Sequence, residues 1–160
     1  MMRTHKRSAA GGFSLIELLI VVAIILIIAA ISVPNLLRSR MAANEASAVG
    51  SLRAINTACV AYLTTFGGFP AQLSNLGTSG PATSTSADLI DNVLASGVKT
   101  GYTFTYTAGA PAAGLIPVYT LSAAPLVPNQ TGQRYFFTDQ SGVIRFNTSA
   151  AATASDAPLQ

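Results

Sequence analysis

A chain of 160 residues has room for one domain plus an appendage, which argues against a multidomain enzyme. Half of the residues are hydrophobic and 9% are charged, against about a quarter in soluble domains, so part of the chain is expected to lie outside water. The formal net charge of +3 is accounted for by Arg3, Lys6 and Arg7. The other basic residues are scattered, so no nucleic-acid partner is expected.

An apolar segment long enough to cross a membrane occupies residues 13–33. Its polar interruptions are Ser14, Glu17 and Ser32. As a helix it would extend about 31 Å, and the hydrocarbon core of a bilayer is about 30 Å thick. An ordinary secretory signal is the alternative, but such a signal has a shorter apolar region with the cleavage site after it. The basic residues ahead of the segment favour a cytoplasmic N-terminus.

The start of this segment carries a motif. Residues 12–17 read Gly-Phe-Ser-Leu-Ile-Glu and lead directly into the apolar run. This pattern resembles the class III signal of type IV prepilins and type II secretion pseudopilins. The resemblance implies that residues 1–12 form a leader, that a prepilin peptidase cuts after Gly12, and that the new N-terminal residue, Phe13, is methylated.

Glu17 is the informative polar residue of the segment. A carboxylate in a lipid-embedded helix costs roughly 2.5 to 3.5 kcal/mol, unless it finds a partner or reaches the headgroup region. The resemblance implies a partner, namely the positive amine that cleavage creates on Phe13 of a neighbouring subunit. Such a pair would set the register of assembly.

The pattern changes after Pro34, which is expected to kink or locally melt the helix because it removes a backbone hydrogen bond. Residues 34–66 are predicted to be an amphipathic helix that ends at about Thr65. Its apolar side chains recur every three or four residues, at Val49, Leu52, Ile55, Cys59, Leu63 and Phe66. The opposite face is predicted to hold Asn44, Glu45, Ser47, Ser51, Arg53, Asn56 and Thr57.

Residues 67–147 are predicted to form a small globular head. Residues 71–86 have the composition of a loop, after which Ser86 is expected to cap a short helix over residues 87–96, with Leu89, Ile90, Val93 and Leu94 facing inward. Gly97 is expected to stop this helix. Strands are predicted over residues 102–106, 116–121, 133–138 and 142–147, the last two as a hairpin. Residues 148–160 lack core-forming side chains and are expected to be a loose tail.

These elements predict an α+β fold. A long N-terminal helix, membrane-spanning in its first half and amphipathic in its second, packs on a small antiparallel β-sheet head, and this is the pilin fold that the resemblance implies. Cys59 is alone, which excludes an intrachain disulfide or a cysteine metal cluster, and it is interpreted as a core residue. Cleavage after Gly12 would remove the only histidine, His5. No catalytic residue, metal ligand or cofactor is therefore predicted.

The resemblance implies a structural subunit of a type IV pilus-like filament, and no enzymatic activity is expected. The precursor would lie in the bacterial inner membrane, and the mature subunit in a cell-surface or periplasmic filament. The implied partners are further copies of the chain, the prepilin peptidase and methyltransferase, and the pilus or secretion assembly machinery. A type II secretion pseudopilin, or a minor pilin active in secretion, adhesion or DNA uptake, is the alternative.

Overall fold

The computed structural model describes residues 12–159, and its first element is a long helix. This helix, α1, comprises Leu15–Phe66 and contains Pro34. It is continuous through the proline, so the expected local melting is wrong, because the loss of one N–H leaves the neighbouring helical hydrogen bonds in place. The kink stays a prediction. The chain divides into two compact units, up to Leu37 and from Arg38 onward, and each is described in turn.

The first unit is an almost entirely aliphatic stretch of α1. Its large side chains are exposed, from Leu15 at 81% to Leu37 at 46%. Within residues 12–159, α1 is the helix that is long and apolar enough to cross a membrane. A helix suits the apolar interior of a membrane because it satisfies its backbone hydrogen bonds internally.

The second unit is built on an antiparallel sheet. Its further elements are a 3-10 helix (Leu73–Leu76), α2 (Asn92–Ala95), β1 (Val98–Lys99), β2 (Tyr102–Ala108), β3 (Tyr119–Pro125), β4 (Tyr135–Asp139) and β5 (Arg145–Asn147). Every neighbouring pair is antiparallel, in the order β1-β2-β3-β4-β5. The predicted α+β architecture is confirmed.

One face of this sheet packs on the last part of α1. The buried apolar residues that α1 contributes are Ala48, Val49, Leu52, Ile55, Ala58, Cys59 and Tyr62. Leu63 and Phe66 are partly buried against the same core. Alternate residues of β2 and β3, such as Tyr102, Phe104 and Leu121, cover this stripe. The predicted apolar face and the core position of Cys59 are confirmed.

Three polar residues of the predicted opposite face are buried or hydrogen-bonded to a strand of the sheet. Glu45 and Ser51 are buried. The Asn56 side chain accepts a hydrogen bond from the Tyr119 hydroxyl and donates one to Thr138 Oγ1, both at 3.0 Å. The assignment was wrong because the core face of the sheet contains polar groups, which a pattern within the helix cannot reveal.

The short helix starts later than predicted. The α2 helix is a single turn in which the Asp91 side chain, as the N-cap, accepts a hydrogen bond from Leu94 N–H at 2.9 Å. The Ser86 hydroxyl instead accepts from Ser79 N–H. Asp88 has a φ of 54°, which is incompatible with a right-handed helix. Leu89 and Val93 are exposed, so their predicted inward position is wrong. Gly97, at φ 83°, follows the helix end as expected.

The strand boundaries shift where local chemistry limits pairing. The strand β3 begins at Tyr119 rather than residue 116 and continues to Pro125, because Pro117 has no N–H to give to a ladder. The hairpin between β4 and β5 is confirmed. Its turn is closed by Gly142 N–H, which donates to the Asp139 carbonyl at 2.9 Å, with Gly142 at φ 75°.

The C-terminal segment is docked, so the expected loose tail is wrong. Phe146 N–H donates to the Ala157 carbonyl at 3.1 Å, and Leu159 N–H donates to the Ile144 carbonyl at 2.7 Å. Ala152 is buried. The free edge of β5 supplies backbone donors and acceptors whatever side chains the tail carries. The amino-acid composition of the tail therefore could not predict that it docks.

Candidate processing and assembly site

The predicted cleavage position lies just outside α1. Gly12, Phe13 and Ser14 are non-helical and exposed, so the peptide bond between Gly12 and Phe13 is not engaged in helical hydrogen bonding. Apart from Gly12 itself and its chain neighbours, no atom of the described residues lies within 4 Å of the position that a Cβ would occupy on Gly12. The fold itself therefore has no steric need for glycine here, and a requirement for it would come from a partner that holds this segment. The rest of the leader, residues 1–11, lies outside the described residues.

Glu17 contacts the backbone at the start of its own helix. Its Oε2 accepts a hydrogen bond from Ser14 N–H at 2.9 Å. Ser14 directly precedes the first helical residue, so this contact is one half of a capping box, the Ser-x-x-Glu arrangement that satisfies free N–H groups at a helix start. A carboxylate in the first turn also interacts favourably with the helix dipole. The sequence interpretation considered an intersubunit partner or the headgroup region for Glu17 but not this cap, although the Ser-x-x-Glu spacing already signals it.

Pro34 lies in the same unit but far from the motif. It sits inside α1, about 26 Å along the helix axis from Glu17 at ~1.5 Å per residue. The structure therefore does not bring Pro34 together with Gly12, Phe13 and Glu17.

An exposed aliphatic surface joins these positions. Ile20, Ile24, Ile27 and Ile31 are 51%, 52%, 62% and 64% exposed. Soluble monomers rarely expose contiguous apolar patches above a few hundred Å2, and larger ones mark membrane or protein contacts. This surface therefore requires lipid or other apolar helices around it.

Comparison with known proteins identifies the N-terminal segment. A model of the prokaryotic N-terminal methylation motif matches residues 7–33. Over 36 residues the chain is 64% identical to the type IV wide pilus major component PilA4 of Thermus thermophilus. That alignment covers 22% of this chain and 28% of the relative, so well under two thirds of its length is matched. No solved structure is significantly similar to the chain.

The matched region contains Gly12, Phe13 and Glu17 and leaves Pro34 just beyond its end. Its apolar run coincides with the exposed part of α1. The recognition of a class III prepilin signal is confirmed, since residues 7–33 of this chain match the prokaryotic N-terminal methylation motif.

Proposed function

We propose that the chain is the precursor of a structural subunit of a type IV pilus-like filament. The precursor inserts in the inner membrane through the aliphatic part of α1. A prepilin peptidase hydrolyses the bond between Gly12 and Phe13, which leaves a carboxylate on Gly12 and a free amine on Phe13, and this amine is methylated. The mature subunits then polymerise through α1 with the help of pilus assembly machinery, and the filament lies at the cell surface.

The observation that carries this proposal is an exposed aliphatic helix with one carboxylate near its start. The proposed cut after Gly12 leaves the amine of Phe13 four residues before Glu17. In an assembled bundle of such helices, contacts between aliphatic side chains of neighbouring subunits replace the contacts that these side chains made with lipid. Burying a lone carboxylate or a lone charged amine among apolar side chains has a large unfavourable free energy, and pairing the two opposite charges offsets much of it.

The helix cap leaves Glu17 able to serve a neighbour. Ser14 N–H occupies Oε2, while Oε1 has no hydrogen-bond partner within residues 12–159. A carboxylate accepts several hydrogen bonds at once. Glu17 can therefore keep its own helix start in place with one oxygen and receive the amine of a neighbouring Phe13 with the other.

The experiment measures two things together, namely removal of the leader and incorporation of the chain into surface filaments. The unmodified chain and a Gly12→Val variant are expressed in a pilus-producing bacterial host, and both sheared surface filaments and membranes are collected. The unmodified chain is expected in the sheared fraction without its leader, and the variant in the membrane with its leader intact. Efficient cleavage of the variant would contradict the assigned cut. A processed chain confined to membranes would contradict a pilus subunit and favour a pseudopilin or a minor pilin.

A further inference from the structure

A cleft of about 340 Å3 opens in the second unit where α1 ends. Its aromatic lining comes from Tyr62 and Phe66, in the last turns of α1, and from Phe69 just after the helix. Leu115 and Asn75 line it as well. This cleft is separate from the methylation segment, and an inference drawn from it goes beyond the proposed filament function.

The walls of the cleft are held in place by specific contacts. The Tyr62 hydroxyl donates to the Ser84 carbonyl at 2.6 Å, and the rings of Tyr62 and Phe66 lie 4.6 Å apart. Phe69 N–H donates to the Ile116 carbonyl at 2.8 Å. A Cβ on Gly68 would stand only 3.0 Å from Ile116 N, so the glycine permits this close approach of two chain segments. The cleft is therefore preformed rather than a gap between mobile loops.

Asn75 places an unused carboxamide in this cleft. The residue is 8% exposed, yet its side chain has no hydrogen-bond partner within residues 12–159. Its backbone is fully engaged, since its N–H donates to the Gln72 carbonyl and its carbonyl accepts from Ala87 N–H. No side-chain nitrogen or oxygen of the described residues is both unpaired and completely enclosed. The amide therefore reaches the open space that the residue lines, and it offers two donors and an acceptor there.

The chemistry of the lining selects a ligand class. Every residue that lines the cleft is uncharged, so the cleft holds no charge partner for a phosphate, a carboxylate or an ammonium group. Aromatic rings favour flat apolar faces, and a buried amide favours a partner that donates and accepts hydrogen bonds. A pyranose ring presents both, with C–H groups on its faces and hydroxyls on its rim. We propose that this cleft binds one ring of a neutral saccharide.

Saturation-transfer difference NMR on the full mature chain tests the proposal. The protein is held in lauryldimethylamine oxide micelles, because glucoside and maltoside detergents would compete for the site. The probes are glucose, galactose, mannose and N-acetylglucosamine. Asn75→Leu removes the amide at similar volume. Gln72→Leu is the matched control, since Gln72 is exposed directly before the 3-10 helix that contains Asn75 and does not line the cleft.

At least one of the four sugars is expected to bind the unmodified chain and the Gln72→Leu variant equally, and Asn75→Leu at least about tenfold more weakly. Leu115→Glu serves as a second variant for the case that Asn75→Leu fails to fold. Leu115 is 47% exposed, so a charge there is tolerated by the fold but faces the neutral cleft, and binding is again expected to fall. Absence of binding by all four sugars, or binding that neither variant changes, would overturn the proposal.

Discussion

Glu45 on α1 and Arg134 just before β4 form an ion pair in which Arg134 Nε lies 2.7 Å from Glu45 Oε2. The other carboxylate oxygen, Oε1, accepts hydrogen bonds from Gln133 N–H at 2.8 Å and from Arg134 N–H at 3.2 Å. Burial raises the pKa of Glu45, but these hydrogen bonds and the Arg134 guanidinium outweigh it, and the pKa falls below its ordinary value of 4.5. One carboxylate thus fixes the start of β4 against the helix.

Replacing Glu45 by Gln is expected to lower the free energy of unfolding of the second unit by about 2 kcal/mol, because it breaks charge-assisted hydrogen bonds. Urea denaturation in micelles, followed by near-UV circular dichroism, measures this, since all five tyrosines lie between residues 62 and 135. Asp91→Asn is the matched control. It weakens an exposed pair with Lys99 but keeps a good helix cap, and an equal loss in both variants would contradict the role of Glu45.

The same pair predicts a pH dependence. Because the folded pKa of Glu45 is lowered, its stabilising contribution is complete above the unfolded value near 4.5 and is lost as the pH falls through the folded value. Between pH 6 and pH 3 the unmodified chain is therefore expected to lose more stability than Glu45→Gln. Equal slopes for the two proteins in urea titrations across this range would contradict the prediction.

Glu17 tests the assembly step separately from processing. Glu17→Val is expected to insert and to lose its leader normally, while the amount in sheared filaments falls more than tenfold, because the neighbouring amine has no counter-charge. A second variant, Glu17→Gln, separates the helix cap from the charge, since it retains an acceptor for Ser14 N–H but carries no charge. If Gln restores filaments, the helix cap rather than the charge is what assembly needs.

Cys59 is expected to be unreactive in the folded protein. Burial raises the pKa of its thiol to about 12, with a side-chain interaction with Tyr119 acting in the opposite direction, so very little thiolate exists at pH 8. Alkylation by iodoacetamide should be at least about a hundredfold slower than in urea. A Cys59→Ala, Thr64→Cys variant provides an exposed thiol on the same helix as a control. Similar rates at the two positions would contradict the buried location.

Removal of residues 157–160 tests the docked C-terminus. It eliminates the hydrogen bonds that Ala157 and Leu159 make with the β5 region, and the second unit is expected to lose about 1 to 2 kcal/mol of stability. Deletion of Gln160 alone is the control. If the longer deletion leaves the urea midpoint unchanged, the segment does not stabilise the sheet edge.

The periodicity of apolar residues along the chain was enough to predict the α1 helix and the face that it buries. The apolar run gave the first part of α1, and the spacing of Leu52, Ile55 and Cys59 gave the face that meets the sheet, because helix geometry fixes which residues share a side. The partner of Glu45 could not be predicted in this way, since Arg134 lies 89 residues away. The start of α2 was missed because the backbone at Asp88 is left-handed, and nothing in the residue type requires that.

The candidate site was predicted from a short motif rather than from periodicity. The six-residue motif predicts Gly12, Phe13 and Glu17 as the site residues, and it lies within the matched methylation segment. The contact between Ser14 and Glu17 was available from the Ser-x-x-Glu spacing. The cleft around Asn75 left no signal in the sequence, because its lining comes from α1, the 3-10 helix region and the loop before β3, which only the tertiary fold brings together.

The most direct test of the central claim is mass spectrometry of the N-terminus of the chain in filaments sheared from the host cell. A terminal peptide that begins with methylated Phe13 is the predicted result. A peptide that retains the leader, or one that begins beyond Val33, would contradict the assignment of the methylation segment and the role proposed for Glu17.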